Sequence, residues 1–150
     1  MNLVFKSHGK LLLTGEYLVL KGADALCIPT NFFQTLSVKK SKKNFLHWKS
    51  YNCSNNLWIE AKLNTNDLKI LSEENKETLF LQSLLENARK INPKFLNCGS
   101  GYNIESKMNF NKNWGLGSSS TLINNISQWA EVNPFNLLWS VSNGSGYDIA

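Results

Sequence analysis

The sequence predicts an α+β domain, with helices packed on one side of a mixed sheet. Two patterns carry this expectation. The first half of the chain is a series of short apolar or β-prone runs, the pattern of strands. The second half carries stretches with apolar residues every three or four positions, the pattern of amphipathic helices. Strands first and helices later give a sheet covered by helices on one face. At 150 residues, a single domain with a proper core is expected.

The elements follow in order. Leu3 to Phe5, Leu11 to Leu13, Tyr17 to Leu20 and Leu36 to Val38 read as strands punctuated by Gly15, Gly22 and Pro29. Phe45 to Trp48 and Leu57 to Ala61 are two more, and the Asn-rich turn at Asn52 to Asn56 makes them a hairpin. A helix is expected from Lys76 to Ile91, where Leu79, Phe80, Leu84, Leu85 and Ala88 share a face and Pro93 follows the end. Tyr102 to Ser106 returns as a strand. A second helix spans Ser118 to Glu131 and a third Pro134 to Val141.

Composition removes several function classes. The net charge of +5 is almost wholly lysine, since Arg89 is the only arginine. Lys39, Lys40, Lys42 and Lys43 form the densest basic run and read as a solvated turn. Cys27, Cys53 and Cys98 are an odd set without paired spacing, so reduced thiols in a cytoplasmic protein are expected. His8 and His47 lack metal-ligand spacing and read as structural or surface histidines. No segment has the apolar length of a membrane span, and Lys6, His8 and Lys10 make the start too polar for a signal peptide.

One hexapeptide carries chemistry. Residues Gly115-Leu-Gly-Ser-Ser-Ser120 stand directly before the second helix, whose apolar residues are Leu122, Ile123, Ile126, Trp129 and Ala130. Gly115 and Gly117 allow a tight turn and close approach of backbone to a ligand. Ser118, Ser119 and Ser120 place hydroxyls at a helix start, where free N–H groups and the helix dipole favour a phosphate. No lysine follows the last glycine, so this is not a Walker A loop.

Two further segments give context: Lys10-Leu-Leu-Leu-Thr-Gly-Glu-Tyr-Leu-Val-Leu-Lys-Gly22, followed by Ala25, and Asn143-Gly-Ser-Gly-Tyr-Asp-Ile-Ala150. In the order lysine segment, phosphate loop, aspartate loop, the chain resembles the GHMP kinases. Gly9-Lys-Leu-Leu-Leu-Thr-Gly-Glu-Tyr and Trp114-Gly-Leu-Gly-Ser-Ser look most like the phosphomevalonate kinase branch, with mevalonate kinase its close neighbour. Residues 39–109 carry no matching motif. The resemblance implies an N-terminal domain with a ribosomal-protein-like, left-handed βαβ unit, an exception to the usual hand. It also implies that residues 1–150 form an ATP-binding N-terminal domain, truncated after the aspartate loop and without its C-terminal domain.

The activity implied is ATP- and Mg²⁺-dependent phosphorylation of a small alcohol or phosphate ester, mevalonate or phosphomevalonate. By resemblance, Gly115, Leu116, Gly117, Ser118, Ser119 and Ser120 bind ATP, and Ser119 also serves Mg²⁺. Asp148 matches the aspartate facing the substrate hydroxyl. Lys10 matches the lysine that pairs with it and stabilises the developing alkoxide. Glu16 orders the loop around Lys10, and Tyr147 shapes the substrate pocket or packs in the core. The implied partners are ATP and a small-molecule substrate, with neither nucleic acid nor membrane, and with a homodimer open to the full-length protein. Departures are Lys112, Asn113 and Trp114, where many relatives have Pro and Gly. The magnesium-binding glutamate of mevalonate and homoserine kinases has no counterpart in Phe135 to Asn143, and Glu131 is a poor substitute by position.

The same residues also suit two other readings. A diphosphomevalonate decarboxylase-like enzyme shares the fold and uses ATP and an aspartate. A non-catalytic nucleotide- or RNA-binding module of the same fold suits the basic balance. Against RNA stands the lysine run at Lys39 to Lys43, which has no interleaved aromatics.

Overall fold

The computed structural model describes residues 2–15, 18–97 and 99–149. Strands β1 (Asn2–Thr14), β2 (Leu26–Ser41), β3 (Phe45–Tyr51), β4 (Leu57–Asn64) and β5 (Gly101–Met108) form one sheet in the order β1-β2-β5-β3-β4. Helices α1 (Lys76–Ile91), α2 (Ser118–Ala130) and α3 (Pro134–Val141) pack on one side of it. The fold class expected from sequence is therefore the one observed.

The parallel pair makes the sheet mixed. β3 and β5 run parallel, while β1–β2, β2–β5 and β3–β4 are antiparallel. The chain passes from β3 through the β4 hairpin and α1 before entering β5 between β2 and β3, as a parallel neighbour requires. At the entry point, Gly101 lies against the β2–β3 turn so closely that a Cβ there would sit 1.9 Å from the Lys43 carbonyl oxygen. Only glycine fits.

Alternation along the strands decides what is buried. Leu36, Val38, Leu46, Trp48, Ala61, Leu63 and Ile104 point to the helices and are fully or almost fully buried. Leu81, Leu84, Leu85 and Ala88 of α1 and Ile123, Ile126 and Ala130 of α2 meet them. Asparagine, abundant in the chain, finds its use at element ends. Asn75 and Thr78 form a reciprocal capping box on α1, and Asn133 caps α3 with Pro134 beside it. Asn52 closes the β3–β4 hairpin by accepting from the N–H groups of Ser54 and Asn56.

Several expectations need correction. Leu79, expected on the buried face of α1, is exposed, and Leu81 is buried there instead. Lys39 and Lys40, expected in a turn, belong to strand β2. Leu3 to Phe5 and Leu11 to Leu13 belong to one long strand, and Pro29 lies inside β2 instead of ending it. At Pro29 β2 pairs only with β1, because pairing with β5 begins at Gln34; an edge position tolerates the missing donor. The strand expected at Tyr17 to Leu20 is a turn with a 3-10 segment at Val19–Lys21. Gly15 and Gly22 flank it with positive φ, and Gly22 N donates to Val19 O, so local turn chemistry overrides the β-prone side chains. Tyr17 itself lies outside the described residues.

The single arginine is structural. From α1, Arg89 donates to the carbonyls of Asn66 (2.6 Å), Thr65 (2.8 Å) and Leu96 (2.8 Å), tying the turn after β4 to the one after α1. Burial pushes its guanidinium below the usual range, and Asp67 and then Glu86 act against that. Arg89→Met keeps the stem but strands these carbonyls. It should cost about 2–3 kcal/mol of stability in urea unfolding, in line with the worth of charged hydrogen bonds.

Candidate active site

The loop before α2 is fixed at both ends. Asn109 exchanges two bonds with the Phe33 backbone: Phe33 N donates to Asn109 Oδ1 (2.6 Å) and Asn109 N to Phe33 O (3.1 Å). Phe110 and Leu116 are buried together with Met108 as a small separate cluster. Between them Asn111 caps a 3-10 turn at Lys112–Trp114. The next glycines, Gly115 and Gly117, take φ of +71° and +75°, a region costly for residues with a Cβ.

This geometry aims the helix start outward. Gly117 is the N-cap of α2, with no side-chain cap, and the first bond of the ladder runs from Thr121 N to Gly117 O. Ahead of it stand the N–H groups of Ser118, Ser119 and Ser120, the donors a helix leaves for an external acceptor. Ser119 is exposed, Ser118 half-buried and Ser120 buried.

Both outer segments converge on this loop. Lys10 donates its backbone N–H to Leu116 O at 3.1 Å, and a Cβ on Gly9 would lie 2.9 Å from that same oxygen. Asp148 reaches the loop from the far end of the sequence: Ser120 Oγ donates to Asp148 Oδ2 at 2.5 Å. A Cβ on Gly117 would stand 3.1 Å from Asp148 Oδ2, so the glycine also clears space for the carboxylate. The aspartate turn is anchored by Ile149 in the core, by Phe135 against Gly146 and by Trp139 Nε1 donating to Gly144 O. Cys27 Sγ donates to Tyr147 O, linking that turn to β2.

Among the described residues, the Lys10 ammonium and the Asp148 carboxylate form no ion pair within 4.0 Å. Both segments meet on the loop, Lys10 through its backbone and Asp148 through its side chain. Glu16 lies outside the described residues. Glu131 caps the opposite end of α2, about 20 Å from Ser118 by the helical rise. Among the described residues no group of three or more His, Cys, Asp or Glu converges as a metal site.

A buried polar network bolts α2 to the sheet. Gln34 donates to Ser106 Oγ (2.7 Å) and accepts from Thr121 Oγ1 (2.6 Å), while Asn125 donates to Gln34 O and accepts from Ser7 Oγ (2.8 Å). All five side chains are buried, so each unmade bond would carry the full desolvation cost. The helix start is thereby held in one register over β2 and β5.

Beside that helix start opens a cavity of about 350 Å³. The first turn of α2 (Ser118, Ser119, Leu122) forms one wall, Trp48 and Trp58 another, and Lys76 and Phe80 of α1 a third. Lys112 borders it, its ammonium 5.0 Å above the Trp58 ring. Sequence reading missed these walls. They come from β3, β4 and α1, inside the stretch without motifs, and only Lys112 beside the loop offered a signal.

Comparison with solved structures places this architecture. The chain superimposes on mevalonate kinase from Methanococcus jannaschii with a TM-score of 0.65 at 18% identity, covering 89% of this chain and 42% of that one. Phosphomevalonate kinase from Streptococcus pneumoniae, in complex with phosphomevalonate and AMPPNP, gives 0.66 at 17%, covering 98% and 46%. Galactokinase from Lactococcus lactis, complexed with galactose, gives 0.66 at 14%, covering 99% and 38%. The chain shares the fold of part of each of these kinases. These matches spread over kinases of different substrates with similar scores, and none dominates. The chain spans less than half the length of these structures. No protein-family model and no curated protein matches the sequence. Among the described residues, no helix is long and apolar enough to cross a membrane.

Proposed function

We propose that residues 1–150 are the nucleotide-side domain of an ATP-dependent phosphotransferase acting on a small alcohol or phosphate ester. The observation that carries this reading is the meeting of Asp148, Ser120 and Gly117 at the open start of α2. Phosphoryl transfer needs positioning and charge compensation more than covalent chemistry, and this site offers both. The N–H groups of Ser118 to Ser120 would hold phosphate oxygens. The cavity suits a nucleobase in size and lining, with Trp58 and Phe80 for stacking and Lys76 and Lys112 for charge.

Asp148 would orient the acceptor hydroxyl and take its proton, while Ser120 fixes the carboxylate's position. Lys10, held to the loop by its backbone, would bring its ammonium to the developing negative charge when substrate fills the cleft. The Ser119 hydroxyl suits Mg²⁺, which takes few protein oxygens and would neutralise phosphate charge. Tyr147, next to Asp148, would shape the acceptor side. Among acceptors, mevalonate and phosphomevalonate are the first to test, since the sequence motifs resemble that branch most.

The test is ³¹P NMR of the full protein with Mg·ATP and mevalonate, phosphomevalonate, homoserine or galactose in turn. A new phosphoester or diphosphate signal with one acceptor supports the reading. Release of carbon dioxide from diphosphomevalonate would instead indicate the decarboxylase chemistry. Nucleotide binding without turnover of any acceptor would reduce the domain to a binding module.

A further inference from the structure

We propose that the sheet face turned away from the helices binds single-stranded nucleic acid. Alternate residues of each strand point to opposite faces, and the helices cover only one. On the other, register lines up Asn2, Lys39, Asn103, His47 and Lys62 in one row. A second row holds Lys6, Thr35, Lys107 and Tyr51. Lys49 lies between them, beside Glu105 and Glu60.

Charge on this face is one-sided. Both acids are already engaged: Glu60 by His47 (2.7 Å) and Lys49 (3.8 Å), Glu105 by Lys107 (3.5 Å). Lys6, Lys39 and Lys62 have no ion pair within 4.0 Å among the described residues. A depression of about 460 Å³ lies here, bordered by Lys39, Lys43, Lys49 and His47 with the amides of Asn2 and Asn103, and by the single acid Glu105, which Lys107 engages. Cations beside amide donors and acceptors suit phosphates flanked by base edges.

The aromatics decide the class of ligand. Phe33, Phe45 and Tyr51 are half-buried on this face, and each carries lysine over its ring. Lys6 Nζ lies 4.0 Å from the Phe33 centroid, Lys107 Nζ 5.1 Å from Tyr51, and Lys43 Nζ 5.4 Å from Phe45. A ring lying under an ammonium turns its π face outward. An unpaired base can stack there while the lysine moves to the adjoining phosphate. A duplex hides its base faces, and this open sheet has no projecting helix to enter a groove. Along the chain no aromatic interrupts the lysine run at Lys39 to Lys43; the interleaving arises across strands, through register. The cavity beside α2 lies on the opposite, helix-covered side, so this inference is independent of the kinase reading.

Fluorescence anisotropy with labelled oligonucleotides of about 12 nucleotides, within single-strand site sizes, tests it. Single strands of RNA and DNA, a duplex of equal length and phosphatidylserine vesicles are compared at about 50 and about 200 mM salt. Expected is single-strand binding at least about tenfold tighter than duplex binding. Its log–log salt slope should reach about −2 or steeper, at about −0.7 per phosphate contact. The exposed triple variant Lys6→Gln, Lys39→Gln, Lys107→Gln should flatten that slope by about 2. Tyr51→Leu should weaken binding at least about fivefold with the slope kept, since stacking is lost and charge is not. Circular dichroism establishes that each variant is folded. Absence of binding at low salt overturns the proposal, as does equal affinity for duplex or preference for vesicles. So does a slope unchanged in a folded lysine variant.

Discussion

Replacing Asp148 by asparagine should reduce phosphoryl transfer by about 10²–10⁴-fold, the usual worth of a positioned acid–base group. The substitution keeps the volume beside Gly117 and an oxygen for the Ser120 hydroxyl, so the 2.5 Å contact has a substitute. What it removes is the charge and the ability to take a proton. The effect should therefore fall on kcat with little change in the KM for ATP, because the phosphate donors are backbone groups of α2. An equal loss in ATP affinity would instead make Asp148 part of the nucleotide cradle. Steady-state kinetics of the full protein at fixed Mg²⁺ separates the two.

The largest effect on stability should come from Gly101→Ala. The added Cβ would meet the carbonyl oxygens of Lys43 at 1.9 Å and Phe45 at 2.7 Å. Both are backbone atoms, which cannot rotate away as a side chain tip can. Overpacking a core costs about 1–3 kcal/mol when side chains absorb it; here β5 must shift between its two neighbours, so about 3 kcal/mol or more is expected. For a domain of this size that lowers the melting temperature by about 10 °C. Gly99→Ala nearby is the comparison, since a Cβ there meets nothing within 4 Å. At its φ of +63° it should cost only the local backbone penalty, about 1–2 kcal/mol.

The sequence made some of this legible for definite reasons. Helices α1 and α2 follow from apolar periodicity, with Pro93 just past the end of α1, and α3 begins at Pro134 as expected. The loop at Gly115 to Ser120 is legible because chemistry and backbone demand coincide there: glycines at positive φ, then hydroxyls at a helix start. The length of β1 and β2 was not legible. Their distal parts pair only with each other, so neither burial nor alternation marks them, and Pro29 argues locally against a strand. The cavity walls were hidden as well. Trp48, Trp58 and Phe80 read as ordinary apolar residues until β3, β4 and α1 are set beside α2. Gln34 and Asn125 carry no motif, because a buried amide is defined by partners distant in sequence.

Whether the start of α2 and the adjoining cavity hold a nucleotide is decided by calorimetric titration of the full protein with Mg·AMPPNP. One-to-one binding is expected, weakened about five- to tenfold by Gly117→Ala. An added Cβ at φ +75° costs about 1–2 kcal/mol, so the variant loop relaxes away from the geometry that presents the Ser118 to Ser120 N–H groups and must regain it on binding. No binding by the folded wild-type protein, or binding that folded Gly117→Ala leaves unchanged, would contradict it.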